Sequence, residues 1–264
     1  MRSPGPSFDL RAALTDEVRA AAAAFDAAPD DAKSVHRCRV HLKRARALAR
    51  VGSTCAPGLA AVFEDSARAA MQALAQERNL AALAETAREA AAKARKRERA
   101  ALKLVAEQLD TERQAVGPAS PAITRGAVRD LLALAQVWPE ASTRQLIKGA
   151  ARIVRRARRA CRRGRGASAV ERRHEWRKRE KDRLYAAQLM RALFPAPRRR
   201  KDGEALGDAL GRERDTLLLI ERLDLIAAND DVTTKRARRA LKRRAHRLAA
   251  RADRIGARLH RAGA

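Results

Sequence analysis

Along most of the chain apolar residues return every three to four positions, the signature of helices that each bury one stripe. With prolines and glycines as punctuation, the pattern predicts nine helices, over 8–27, 31–50, 57–88, 91–115, 122–137, 140–163, 168–194, 202–227 and 233–261. The last shows the periodicity plainly: Ala237, Leu241, Ala245, Leu248, Ala252, Ile255 and Leu259 form an apolar row. Beside it Arg236, Arg243, Arg247, Arg254, Arg258 and Arg261 form a cationic row, which reads either as a solvated face or as part of a binding track. The main break is GPASP at 117–121, with RRGRG at 162–166 and PAPRRRK at 195–201 as further loops. Gly203, Gly207 and Gly211, spaced by four, predict close helix packing, because a phosphate-cradling glycine loop would need a strand before it.

The chain also repeats itself. SVHRCRVHLKRARALAR at 34–50 is similar to ERRHEWRKREKDRLYAAQL at 171–189, aligned on His36 and His174, and ALAQERNLAAL at 73–83 is similar to ALGRERDTLLL at 209–219, aligned on Arg78 and Arg214. The offsets, 138 and 136 residues, are nearly equal. An all-α fold follows, of two tandem, pseudo-symmetric helical bundles with about four long helices each: one domain over 1–264, with halves at 1–117 and 122–264.

Composition narrows the class further. The chain is 46% hydrophobic, which supports a buried core, but only 3% aromatic and dominated by Ala and Leu, which excludes an all-β fold. Its longest uncharged run, Val51 to Phe63, is interrupted by Gly52, Pro57 and Gly58, so no membrane span is expected. The first residues lack the apolar stretch of a signal peptide, and Cys38, Cys55 and Cys161 have neither metal spacing nor a disulfide framework, so a reducing cytoplasm is expected. Against 31 Asp and Glu stand 59 Lys and Arg, a formal net charge of +28. Such an excess points to a polyanionic partner.

The cations are patterned. His36, Arg39, Lys43, Arg46 and Arg50 share one helix face beside the apolar stripe Val35, Cys38, Leu42, Ala45 and Ala49, so the basic row borders the core and would line a cleft. The second copy keeps His174, Arg177 and Lys181 but has Leu184 and Gln188 where the first has Arg46 and Arg50. Lys148, Arg152, Arg155, Arg159 and Arg162 make a further row, with Ile147, Ala151, Val154 and Cys161 opposite. Arg78 and Arg214 sit on inward faces, where each needs a partner: Glu85 and Glu221 seven residues on, a bound anion, or both, since a carboxylate can position a guanidinium that also grips phosphate. His36 and His174 each head a cationic row, and read either as packing residues or as phosphate donors. His36 and His41 lack the spacing of a helical metal pair, and no Walker loop, G-x-S-x-G or isolated carboxylate pair is present. No enzyme, catalytic residue, metal or cofactor is expected.

Together these segments resemble the CHAD domain, the conserved histidine α-helical domain. Its pattern is close to V-H-x-x-R-x-x-x-[KR]-x-x-R early and L-H-x-x-R-x-x-x-K-x-x-R-Y late, each followed further along by an R-D pair. Here the early motif is Val35, His36, Arg39, Lys43 and Arg46, and the late one is His174, Arg177, Lys181 and Tyr185. The paired positions are Arg78 with Asn79 and Arg214 with Asp215. Asn79, Leu184 and Arg173 depart from the pattern, which bears on the second half's share of binding. The resemblance implies two four-helix bundles enclosing a basic cavity that binds inorganic polyphosphate, association with polyphosphate granules in the cytoplasm and, in relatives, fusion to triphosphate-processing CYTH domains; only the CHAD unit is expected here.

The expected function is therefore non-catalytic polyphosphate binding through His36, Arg39, Lys43, Arg46, Arg50, Arg78, Lys148, Arg152, Arg155, Arg159, His174, Arg177, Lys181 and Arg214. Nucleic acid is the alternative partner, since a pI near 11.5 with basic stripes is its ordinary footprint. Single-stranded binders interleave aromatics among their cations, and the seven aromatics here are scattered.

Overall fold

Helix boundaries follow the chain's own signals. Asp9 and Asp31 cap the first two helices by accepting from the amides of Ala12 (2.9 Å) and Ser34 (2.8 Å), and Ser142 forms a reciprocal capping box with Gln145. Pro57 and Pro121 each occupy a first helical position, where no amide hydrogen is needed.

The computed structural model describes residues 8–29, 31–74, 76–116, 121–194, 200–226 and 232–261, and among them it is all-α. In chain order the helices are α1 (Leu10–Ala27), α2 (Ala32–Gly52), α3 (Pro57–Ala73), α4 (Gln76–Ala92), α5 (Lys96–Val116), α6 (Pro121–Gln136), α7 (Thr143–Gly164), α8 (Val170–Leu189), α9 (Arg200–Ile226) and α10 (Val232–Leu259). Most of the GPASP and PAPRRRK segments lies outside the described residues.

One predicted helix is two. The expected helix over 57–88 ends at Ala73 and resumes at Gln76, because its halves serve different neighbours: α3 packs on α2 and α6, whereas α4 packs on α5 and α9. A carbonyl left open near the end of α3, that of Met71, accepts from Arg39 on α2. The equivalent stretch of the second half, α9, runs on unbroken.

Buried apolar residues form three clusters. The first joins α1, α2, α3 and α6 around Phe25, Phe63 and Trp138 and takes in the start of α7. The second joins α4 and α5 to the C-terminal half of α9 and the N-terminal part of α10. The third joins the ends of α7 and α10 to the start of α9 around Trp176. Helices are thus exchanged across the sequence midpoint: α6 completes a bundle with α1 and α3, while α4 and α5 pack on α9 and α10. The two histidine helices, α2 and α8, pack directly on each other.

The expected orientation of α7 is corrected. Its inward face is Leu146, Gly149, Ala150, Ile153, Ala157, Ala160 and Cys161; of the expected apolar side only Cys161 is fully buried, Ala151 and Val154 are half-buried and Ile147 is exposed. Gly149 decides the rotation, since a Cβ there would strike the carbonyl oxygen of Val51 on α2. The small residue Gly149 marks where α7 meets α2.

Candidate functional site

Where α2 and α8 meet, with α3 alongside, a cavity of about 400 Å³ opens. Lys43 and Arg46 reach it from α2, Arg68 from α3, and Arg177, Lys178 and Lys181 from α8. The two motif helices thus deliver their cations to one space.

These cations differ in how they are held. Arg50 is committed: its guanidinium grips Glu64 (2.7 Å) on one side and Asp182 of α8 on the other. Burial works against its charge, but the two carboxylates outweigh that and raise its pKa. Arg50 thus lines the cavity as expected and at the same time braces the two motif helices. Arg46 and Arg177, by contrast, form no ion pair or hydrogen bond among the described residues, and the Nε of each is buried without a partner. Burial, then Arg50, holds the Arg46 guanidinium below its ordinary pKa. Burial, then Arg177, does the same to Lys181, whose ammonium lies 5.9 Å from the Tyr185 ring centre. Cations kept together against their mutual repulsion favour an anion between them.

The glycines of α9 make room for this arrangement. A Cβ at Gly203 would collide with the Arg183 guanidinium, one at Gly207 would lie 3.3 Å from the Lys181 Nζ, and one at Gly211 would lie 4.0 Å from the Arg177 Nε. The close helix packing expected of the stripe is that of α8 on α9, and the room the glycines leave is taken by three cationic side chains of α8.

The other expected site residues are dispersed. His174 and Arg214 line a neighbouring crevice of about 10 Å³ between α8 and α9, room for no more than a water molecule. Arg214 is paired with Glu221 at 3.6 Å, so the expected carboxylate partner is present there. The His174 Nδ1 is buried without a partner, and burial, followed by Lys178, Arg214 and Arg177, pushes the imidazole down to about 4. Arg39 serves the Met71 carbonyl and His36 is exposed near the start of α2. The Arg78 side chain lies outside the described residues. On α7, Lys148 and Arg155 are exposed and do not line the cavity, and Arg152 caps α2 by donating to the Arg50 carbonyl (3.0 Å) and to Ser53. Arg159 lines a different groove. The cationic row of α10 is exposed along its length, with Arg243 on Glu98 and Arg258 on Asp202.

Sequence reasoning missed Arg68 and Lys178, which carry no motif signal, and the carboxylates that engage Arg50. It also missed the role of Arg173. That side chain, in place of the family's apolar residue, is buried and holds Glu213 through two nitrogens, Asp253 at 2.8 Å and the Gly164 carbonyl at 2.9 Å. Among the described residues no group of three or more His, Cys, Asp or Glu could hold a metal, and no helix is long and apolar enough to cross a membrane.

The fold and the cavity define an all-helical protein with a cation-lined trough between two related helices. The sequence matches the CHAD domain family over residues 12–224, and the chain belongs to that family. Similar solved structures are PptA from Streptomyces chartreusis (16% identity, TM-score 0.63, covering 93% of this chain and 94% of that one) and the CHAD domain from the plant Ricinus communis (16% identity, TM-score 0.62, covering 99% and 97%). No curated protein matches the chain significantly.

Proposed function

We propose that this protein binds inorganic polyphosphate without transforming it, holding the chain in the cavity between α2 and α8. The observation that carries this reading is the meeting of Lys43 and Arg46 with Arg177 and Lys181, four cations from corresponding stretches of the repeat in one cavity. Family membership supports it through the ligand that the CHAD resemblance implies. Polyphosphate offers charge at every unit and no ring to stack, and the only aromatic at the cavity is Tyr185. Association with polyphosphate granules in the cytoplasm belongs to the same proposal.

A competition titration at fixed ionic strength tests it. Long-chain polyphosphate is expected to bind and to resist displacement by duplex DNA at equal phosphate concentration; ready displacement would transfer the reading to nucleic-acid backbones. Affinity should fall steeply with salt, as counterions condensed on the polyanion are no longer released to advantage. Free phosphate appearing on incubation with Mg²⁺ or Mn²⁺ would overturn the non-catalytic part.

Binding should also take up protons. His174 lies outside the cavity, but its imidazole, near 4 without ligand, is depressed by burial and in part by the cavity cations Lys178 and Arg177, so a phosphate chain that neutralises them raises it; its contribution is complete below about 4 and is lost as pH rises through the ligand-bound pKa. Affinity is thus expected to strengthen from pH 8 to pH 5. Folding stability of the ligand-free protein moves the opposite way below about 6.5, where unfolded His174 takes the proton first. Calorimetry in buffers of different ionisation heat measures the uptake, and His174→Gln should reduce it; an identical uptake in that variant would remove His174 from the linkage.

A further inference from the structure

We propose that the anion track continues from the α2–α8 cavity into a second groove between α7 and α8, where Arg156, Arg159, Arg163 and Arg172 hold the part of a polyphosphate chain that overhangs the cavity. This rests on the proposed function and extends it to ligand length.

The groove is the larger space, about 730 Å³. It shares Glu175 and Arg179 with the cavity, so the two open onto a common stretch of α8. From Glu171 to Tyr185 that stretch spans about 21 Å at 1.5 Å per residue. Arg156, Arg159 and Arg163 fall at i, i+3 and i+7 on α7, facing Arg172, Glu175 and Arg179 with the same spacing on α8. The groove is therefore lined by two rows.

Its charge is unbalanced. Five guanidinium groups face two carboxylates, and Glu175 is already held by Arg179 at 2.7 Å. Among the described residues the other four arginines form no ion pair or hydrogen bond. Arg156 sits at the junction: burial, then Arg152, Arg179 and Arg50, lowers its guanidinium pKa, so it feels cations of both spaces. No aromatic side chain lines the groove, which leaves nothing for a base to stack on. A flexible chain of phosphates can turn around α8 from one row to the next; a duplex cannot follow that path.

The test compares tripolyphosphate with a long-chain polyphosphate by calorimetric titration at one ionic strength. The groove variant is Arg156→Gln, Arg159→Gln and Arg163→Gln; the control is Arg236→Gln, Arg239→Gln and Arg247→Gln, which removes equal charge from exposed positions of α10. The groove variant is expected to lose about tenfold in affinity for the long chain, from three partly solvated contacts, and to keep its tripolyphosphate affinity. The control should change the long-chain affinity much less. Equal losses for both ligands, or a control that matches the groove variant, would overturn the inference while leaving the cavity reading intact. Loss of the cavity reading would look different: unchanged binding of both ligands by a variant with Lys43, Arg46, Arg177 and Lys181 replaced.

Discussion

Replacing Lys43, Arg46, Arg177 and Lys181 together with alanine is expected to weaken polyphosphate binding by a hundredfold or more, while replacing Arg46 and Arg177 alone weakens binding and leaves a folded protein that melts no lower than the wild type. Charge-assisted hydrogen bonds are each worth about 1.5–3 kcal/mol where water is excluded. Even half the lower figure for each of four groups gives about 3 kcal/mol, on the order of a hundredfold. The stability half of the prediction is the more discriminating. Arg46 and Arg177 have no hydrogen-bonding partner among the described residues, and Arg46 and Lys181 are held below their ordinary pKa values by burial and a neighbouring guanidinium. Removing Arg46 and Arg177 relieves repulsion and strands no carboxylate, since Asp182 keeps Arg50. Affinity and stability should therefore separate, as they do at sites organised for a ligand rather than for the fold. Titration calorimetry with a thermal melt on the same sample measures both. If exchanging Arg236, Arg239 and Arg247 for alanine weakened binding equally, net charge and not the cavity would be responsible.

Much of this arrangement can be read from period and repeat alone. The motif face of α2 is correctly oriented because its apolar neighbours Val35, Cys38, Leu42, Ala45 and Ala49 are all buried, leaving the cations at the core's margin. The C-terminal stripe from Ala237 to Leu259 faces inward for the same reason. What one helix's pattern cannot carry is the identity of its neighbour. Arg50 lies on the predicted face and yet is taken by Glu64 and Asp182, one of them 132 positions away. The rotation of α7 depends on Gly149 meeting the α2 backbone, and the interruption near Leu74 depends on α3 and α4 packing in different bundles. The glycines of α9 show the same limit: their spacing signals close helix packing, but that cationic side chains take up the room is decided by α8.

Arg173→Ala is expected to cost about 3–5 kcal/mol of folding stability, because it leaves a buried carboxylate without its counter-charge. Glu213 is only 4% exposed, and both of its oxygens lie on the Arg173 guanidinium. The same guanidinium reaches Asp253 on α10 and the carbonyls of Gly164 and Ala249, and stands 5.4 Å from the Trp176 ring centre, so one side chain joins four helices. Burial opposes its charge, and hydrogen bonds to Glu213 and Asp253 outweigh burial and raise its pKa. At about 2–4 °C per kcal/mol for a chain of this size, the variant should melt roughly ten degrees lower. The corresponding residue of the first half, Val35, is buried and apolar, which shows that the position does not demand a charge. Pairing Arg173→Leu with Glu213→Leu should accordingly recover most of the loss, because the buried ion pair is then replaced by packed hydrocarbon and Asp253, still partly exposed, keeps access to water. A single Arg173→Ala variant that melts with the wild type would show that the network contributes nothing to the fold. A double variant no better than the single would place the stabilisation in the links to Gly164, Ala249 and Asp253, and not in the Glu213 pair.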